Sequence, residues 1–211
     1  MLNLASCRPI AEGCERACYV HPEDASKCVK VSLHGVDKQF RNDLHYQELL
    51  LRRRIAWGGI PRFYGMVDTS LGKGLVFDLV RDYDGNVSGC LRDRVESEAC
   101  RREADSLVAS LFALRGYLLR HGIVTRDMTS LNMLYQAVAP QTHRVVLVDG
   151  VGNSDYVPLA TYIIPLARLK MRSKWAAFER AFRRRYQHIT ELDQAFRQQR
   201  QARSLPALSR V

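Results

Sequence analysis

No stretch of this 211-residue chain approaches the ~20 consecutive apolar residues of a membrane-spanning helix. No CxxC pair joins its six cysteines at positions 7, 14, 18, 28, 90 and 100, and no His/Cys spacing matches a zinc site. Reduced thiols in a cytoplasmic protein are therefore expected. None of the six histidines has a neighbour at ligand spacing, and no GxSxG run marks a serine hydrolase. Internal repeats and low-complexity linkers are absent. Leu4-Ala5-Ser6-Cys7 has the form of a lipoprotein cleavage box. No basic segment precedes it, and its apolar stretch falls far short of the ~7–15 residues of a signal, so it is not expected to act as one. Acids are few: 22 Asp and Glu against 32 Lys and Arg leave a net charge of +10. That balance favours an anionic partner such as a nucleotide, a nucleic acid or an acidic membrane surface, with a solvated basic surface as the plain alternative.

What is present is the composition of a globular chain, 46% hydrophobic and 26% charged. Its length suits one domain of two lobes, or two small domains. Cys18-Tyr19-Val20 and Cys28-Val29-Lys30-Val31 read as short strands joined through His21-Pro22-Glu23-Asp24. Residues 37–56 read as a helix, with Phe40, Leu44, Leu51 and Ile55 near helical spacing and Glu48 among them. Residues 63–67 and 74–80 read as two more strands, and 82–89 as a polar loop. Leu107, Leu111, Leu114 and Leu118 predict a long helix over 97–120, stopped by Gly122. A hairpin then carries a polar loop, Arg144 to Val148 is an apolar strand ending at Asp149-Gly150, and the remaining chain reads as basic helices. The order predicts an α+β arrangement with a small antiparallel sheet lobe and a reduced helical lobe. The first would span 1–81 and the second 82–211.

The polar loop is HGIVTRDMTSLNMLY, residues 121–135. An apolar frame holds Arg126, Asp127 and Asn132, although unpaired buried charge is costly. Lys30 in a strand, Glu48 in the next helix, the Asp127/Asn132 pair and Asp149 at a strand end have the order and type that phosphoryl transfer requires. A lysine neutralises phosphate oxygens, and a glutamate holds it in place. Asn and Asp supply oxygen ligands to a hard cation. A carboxylate orients the proton of the attacking hydroxyl. Asp43 is the alternative acid on the same helix and stands second to Glu48.

These positions resemble the protein kinase fold. Val29-Lys30 is similar to the strand motif with the phosphate-binding lysine, Arg126-Asp127-x-x-x-x-Asn132 to the catalytic loop, and Asp149-Gly150 to the metal-binding motif. The resemblance implies ATP and Mg2+ as cofactors, with catalytic roles for Asp127, Lys30 and Glu48. Asn132 and Asp149 would hold the metal. Gly13 would lie in the nucleotide-covering loop, and the Asp78 carbonyl and Val80 backbone would meet the adenine edge. More closely, Cys18 to Asp24, Cys28-Val29-Lys30, Gly59 to Gly65 and Asp155 to Thr161 (DYVPLAT) resemble the YrbL-like family of small bacterial proteins. This resemblance covers residues 4–190. The family name implies a link to the PhoP network, hence to envelope-stress or magnesium-responsive regulation.

The departures carry weight too. The covering loop, Pro9 to Ala17, holds Gly13 alone where a GxGxxG would let backbone approach phosphates. Thr125 replaces the usual His, Thr129 replaces a second Lys, and the metal motif lacks its Phe. Only 62 residues follow Asp149, which favours a small-molecule or envelope-precursor acceptor over a protein. A pseudokinase that binds nucleotide or a partner without catalysis stays open beside the enzyme. From Arg168 to Arg203, eleven Lys or Arg face three acids, while Trp175, Phe178, Phe182, Tyr186 and Ile189 mark one apolar helix face. This tail is expected to dock on the helical lobe. Its sharper readings are peripheral contact with an anionic inner membrane and contact with nucleic acid, for which no motif is present.

Overall fold

The computed structural model describes residues 1–13, 16–153 and 159–204. Cys14 and Glu15 of the expected covering loop, Asp155 to Pro158 of the DYVPLAT run, and residues 205–211 lie outside the described residues.

The chain folds as α+β. Strands β1 (Ala11–Glu12), β2 (Arg16–His21), β3 (Asp24–Ser32), β4 (Phe63–Thr69) and β5 (Gly72–Asp78) form one antiparallel sheet of order β1-β2-β3-β5-β4. Alternation along β2 and β3 sorts the side chains. Ala17, Tyr19, Val29 and Val31 pack on one face with Leu2, Leu4 and Val76. The other face carries Cys18, Val20 and Cys28, packed with Leu75 and Phe77. Lys30 is two residues from Cys28 on β3 and opposite Cys18, so it shares this second face.

Helix α1 (Lys38–Arg52) crosses between β3 and β4. The Asp37 side chain caps it by accepting the Phe40 N–H at 2.6 Å. Its buried stripe is Phe40, Asp43, Tyr46, Gln47 and Leu50. The helix stops at Arg52, short of the expected 56, because the Arg53 and Arg54 N–H groups turn back to Leu49 and Leu51 and Arg54 adopts φ +50°.

After β5 come α2 (Leu91–Glu96), α3 (Ala99–His121), the hairpin β6 (Met133–Ala139) and β7 (Thr142–Leu147), then α4 (Leu159–Tyr162), α5 (Ile164–Arg185) and α6 (Thr190–Ser204). The leucine stripe of α3 is buried as its spacing predicts, and Gly122 closes the helix at φ +61°. Against it pack Met171, Trp175, Phe178 and Phe182 of α5 and Leu192, Ala195 and Phe196 of α6. The apolar face of the tail is therefore core, and Phe112 meets both Trp175 and Phe196 at ring separations of 6.2 and 6.0 Å. Among the described residues no helix is long and apolar enough to cross a membrane, and the five described cysteines are free.

Candidate functional site

The loop between α3 and β6 is stitched to the segment after β7. The Arg126 N–H donates to Gly150 O at 2.7 Å, the Gly152 N–H to Val124 O at 2.9 Å, and the Val148 N–H to Asn132 O at 2.8 Å. From α1, the Tyr46 hydroxyl accepts the Val124 N–H at 2.8 Å. Gly150 sits at φ +72°, and a Cβ there would lie 2.4 Å from Asp127 O. Only glycine lets the two segments approach so closely. As a result Asp127, Asn132 and Asp149 line one cleft, and Asn132 Nδ2 donates to Asp127 Oδ2 at 3.3 Å.

The cleft lies between the sheet and the helical half and encloses about 860 Å3, within the usual range for small-molecule sites. Gly13, Lys30, Asp78 and Val80 line it as well. Lys30 reaches across from β3, and its Nζ donates to Val148 O at 2.5 Å, one residue before Asp149. Asp149 opens to solvent at the mouth with protein crowding its other sides. That enclosure alone would raise its carboxyl pKa. The Lys30 ammonium, the Gly150 N–H, Arg16 and Arg126 outweigh it and hold the group below the ordinary carboxylate value.

Glu48 is the exception among the expected residues. It is exposed on α1 and does not line the cleft. Five residues after Asp43 places it about 140° round the helix from that side chain. Asp43 and Gln47 instead line a small adjoining pocket that shares Lys30, Arg126 and Asp149 with the cleft. Asp43 is 4% exposed. Its carboxylate accepts from Arg16 on β2, and it takes Arg126 in a two-pronged pair, Nη1–Oδ1 2.6 Å and Nη2–Oδ2 3.1 Å. One buried carboxylate thus joins the sheet, α1 and the polar loop.

The end of β5 and the residues just after it are partly engaged. The Asp78 carbonyl accepts the Cys28 thiol at 3.6 Å, and its carboxylate accepts the Arg62 N–H at 3.1 Å and the Tyr64 hydroxyl at 2.8 Å. Val80 O accepts the Ser88 N–H at 3.1 Å; among the described residues the Val80 N–H takes no backbone partner. Cys18 and Cys28, read from the sequence only as reduced thiols, lie in the cleft roof. The neighbouring Cys28 thiol lowers the Cys18 pKa against burial, with Lys30 assisting and Asp149 opposing. The Cys18 thiol and burial push Cys28 up.

A family described as "PhoP regulatory network protein YrbL" matches residues 2–183. The chain belongs to this family. A relative from Escherichia coli (strain K12), named "Uncharacterized protein YrbL", is 37% identical over 183 residues, covering 84% of this chain and 86% of its own. A relative of the same name from Shigella flexneri matches with the same figures. Every residue that meets in the cleft falls inside the stretch matched to the YrbL family, whereas α6 begins beyond it.

The cleft's donors suit a magnesium-bound polyphosphate. Asn132 and Asp149 would offer hard oxygen donors to such a cation, and the amide of Asn132 keeps its oxygen available while its nitrogen bonds Asp127. Among the described residues no group of three or more His, Cys, Asp or Glu could hold a metal ion. Two protein ligands fit Mg2+, which commonly keeps waters and completes its shell with substrate phosphate. Arg16, Lys30 and Arg126 supply positive charge along the same walls.

No motif in the sequence singles out Arg16, and Asp43 stands there second to Glu48. One signal favoured Asp43: it falls in register with Phe40, Gln47 and Leu50 at three-, four- and seven-residue steps.

Proposed function

We propose that this YrbL-family protein is a kinase-like, ATP-dependent phosphotransferase acting on a hydroxyl acceptor. The observation that carries the reading is the meeting of Lys30, Asp127, Asn132 and Asp149, distant in sequence, in one cleft. In this reading Lys30 binds nucleotide phosphates, Asn132 and Asp149 hold Mg2+, and Asp127 orients the acceptor hydroxyl. Positioning and charge neutralisation would supply the rate. The backbone of Asp78 and Val80 would flank the adenine, and Gly13 would sit over the phosphates. The sheet half and helical half would correspond to the two lobes of that fold. The acceptor favoured is a small molecule or an envelope precursor.

A second reading, nucleotide or partner binding without catalysis, is favoured by one observation. α1 offers Lys30 no glutamate, since Glu48 points away and Asp43 is taken by two arginines. Transfer of γ-labelled phosphate from ATP to components of a bacterial extract separates the two. The enzyme reading expects labelling that Asp127→Asn abolishes while nucleotide still binds. Nucleotide binding with no labelling of any fraction would leave the second reading.

A further inference from the structure

The basic tail offers one candidate for membrane contact, yet part of its charge is used internally. Arg183 and Arg197 pair with Asp193, Arg200 with Glu179, and Arg185 with Glu96. A different surface has the required character. Leu159, Tyr162, Ile163, Ile164, Leu166 and Leu169 are all exposed, Tyr162 by 55% and Leu169 by 64%. They crowd the short stretch 159–169, an apolar ridge over α4 and the first turns of α5 whose outermost members on α5 are Leu166 and Leu169. Exposed Leu166 and Leu169, three residues apart, share a helix stripe opposite buried Ala167 and Met171. Large apolar side chains left exposed together in this way mark an interaction site.

Arg53 and Arg168 tie the ridge to two neighbouring cation-bearing segments. Arg53 donates to Thr161 O at 2.5 Å, which brings Arg52 and Arg54 of the α1 terminus alongside α4. Arg168 donates to Leu119 O at 3.0 Å and Arg120 O at 3.2 Å, which brings the end of α3 and exposed Arg120 to the other flank. Arg172 follows on α5, and no acid occurs from 159 to 178.

We propose that this ridge docks on an anionic lipid bilayer. Apolar side chains enter the headgroup boundary while the arginines meet acidic headgroups. A second copy fits poorly, because a two-fold contact would set the same cationic flanks against each other. The docking stands whether or not the cleft transfers phosphate.

Co-sedimentation tests it, using the full chain with vesicles of phosphatidylcholine alone or mixed with phosphatidylglycerol. The native protein is expected to sediment with the mixed vesicles and not with phosphatidylcholine. Leu166→Ser combined with Leu169→Ser should reduce recovery about tenfold or more with an unchanged melting temperature. Arg180→Glu combined with Arg184→Glu, in the tail, should bind as the native protein does. Equal recovery from both vesicle types, or loss in the tail variant alone, overturns the proposal. So does a native dimer that the ridge variant converts to monomer. Melting shifts by ATP and Mg2+, read separately on the ridge variant, should match the native protein, so failure of docking and failure of the nucleotide reading are distinguishable.

Discussion

Asp43 of α1 holds Arg126 of the polar loop in a two-pronged ion pair, with 2.6 and 3.1 Å contacts, behind the cleft that Asp127 lines. Arg16 of β2 bonds the same carboxylate. The bridge orders the residue next to Asp127 and ties the sheet to the helical half. Removing the acid leaves two guanidinium groups without their shared partner. Asp43→Ala is therefore expected to lower stability by about 3 kcal/mol, measured by urea denaturation. A loss below about 0.5 kcal/mol would show that the bridge contributes nothing to the fold.

Glu48 and Gln47 are neighbours in sequence with opposite settings, one exposed and one buried in the small pocket that adjoins the cleft at Lys30. Glu48→Ala should change stability by no more than about 0.5 kcal/mol and leave nucleotide affinity as it was. Gln47→Ala should weaken nucleotide binding. Calorimetric titration of both variants with Mg-ATP checks the pair, and a large loss in Glu48→Ala would restore the assignment first drawn from the sequence.

Gly150 combines φ +72° with a Cβ position 2.4 Å from Asp127 O. Gly150→Ala must strain the backbone or push the loop away. A cost of about 1–3 kcal/mol is expected, together with loss of nucleotide binding, read by thermal melting with and without Mg-ATP.

The Asp149 carboxyl titrates below its ordinary value of 3.8. A folded-state pKa below the unfolded one stabilises the fold above the unfolded value, and the contribution disappears as pH falls through the folded value. Mg-dependent binding should accordingly stay level through mildly acidic pH. Lys30→Met removes the largest effect opposing burial, so the Asp149 pKa should rise. Carboxyl NMR titration of both proteins reads this directly, and an unchanged or lower value in Lys30→Met would contradict the cleft electrostatics.

Thr125 is fully buried, and among the described residues its hydroxyl oxygen has no hydrogen-bond partner. Thr125→Val removes that oxygen at little change in shape. The expected result is equal or greater stability, by up to about 1 kcal/mol. A clear loss in the urea midpoint would reveal a partner for the hydroxyl.

Local patterns were legible where local physics decides them. The leucine stripe of α3 follows from helical spacing, and the β2–β3 pairing from two apolar runs around a turn. Asp127, Asn132 and Asp149 stood out because polar groups in apolar frames need a reason, and they do line one cleft. The orientation of α1 was not legible from Phe40, Leu44, Leu51 and Ile55. Leu44 and Leu51 are only half-buried, and the helix ends before Ile55. Choosing Asp43 needed its partners, one on β2 and one on the loop, which only tertiary packing brings together. The tail's charge likewise suggested an open basic surface, because its pairing to Asp193, Glu179 and Glu96 depends on how α5 and α6 fold back.

Thermal unfolding with and without ATP and Mg2+, on the native protein and on Asp149→Asn, tests the central claim most directly. Ligand at about 100 times its dissociation constant adds about 2.7 kcal/mol, a rise of roughly 5–10 °C for a chain of this size. The account predicts that rise in the native protein and a much smaller one in Asp149→Asn. No rise at millimolar nucleotide, or an equal rise in both proteins, would contradict a nucleotide–metal site built on Lys30, Asn132 and Asp149.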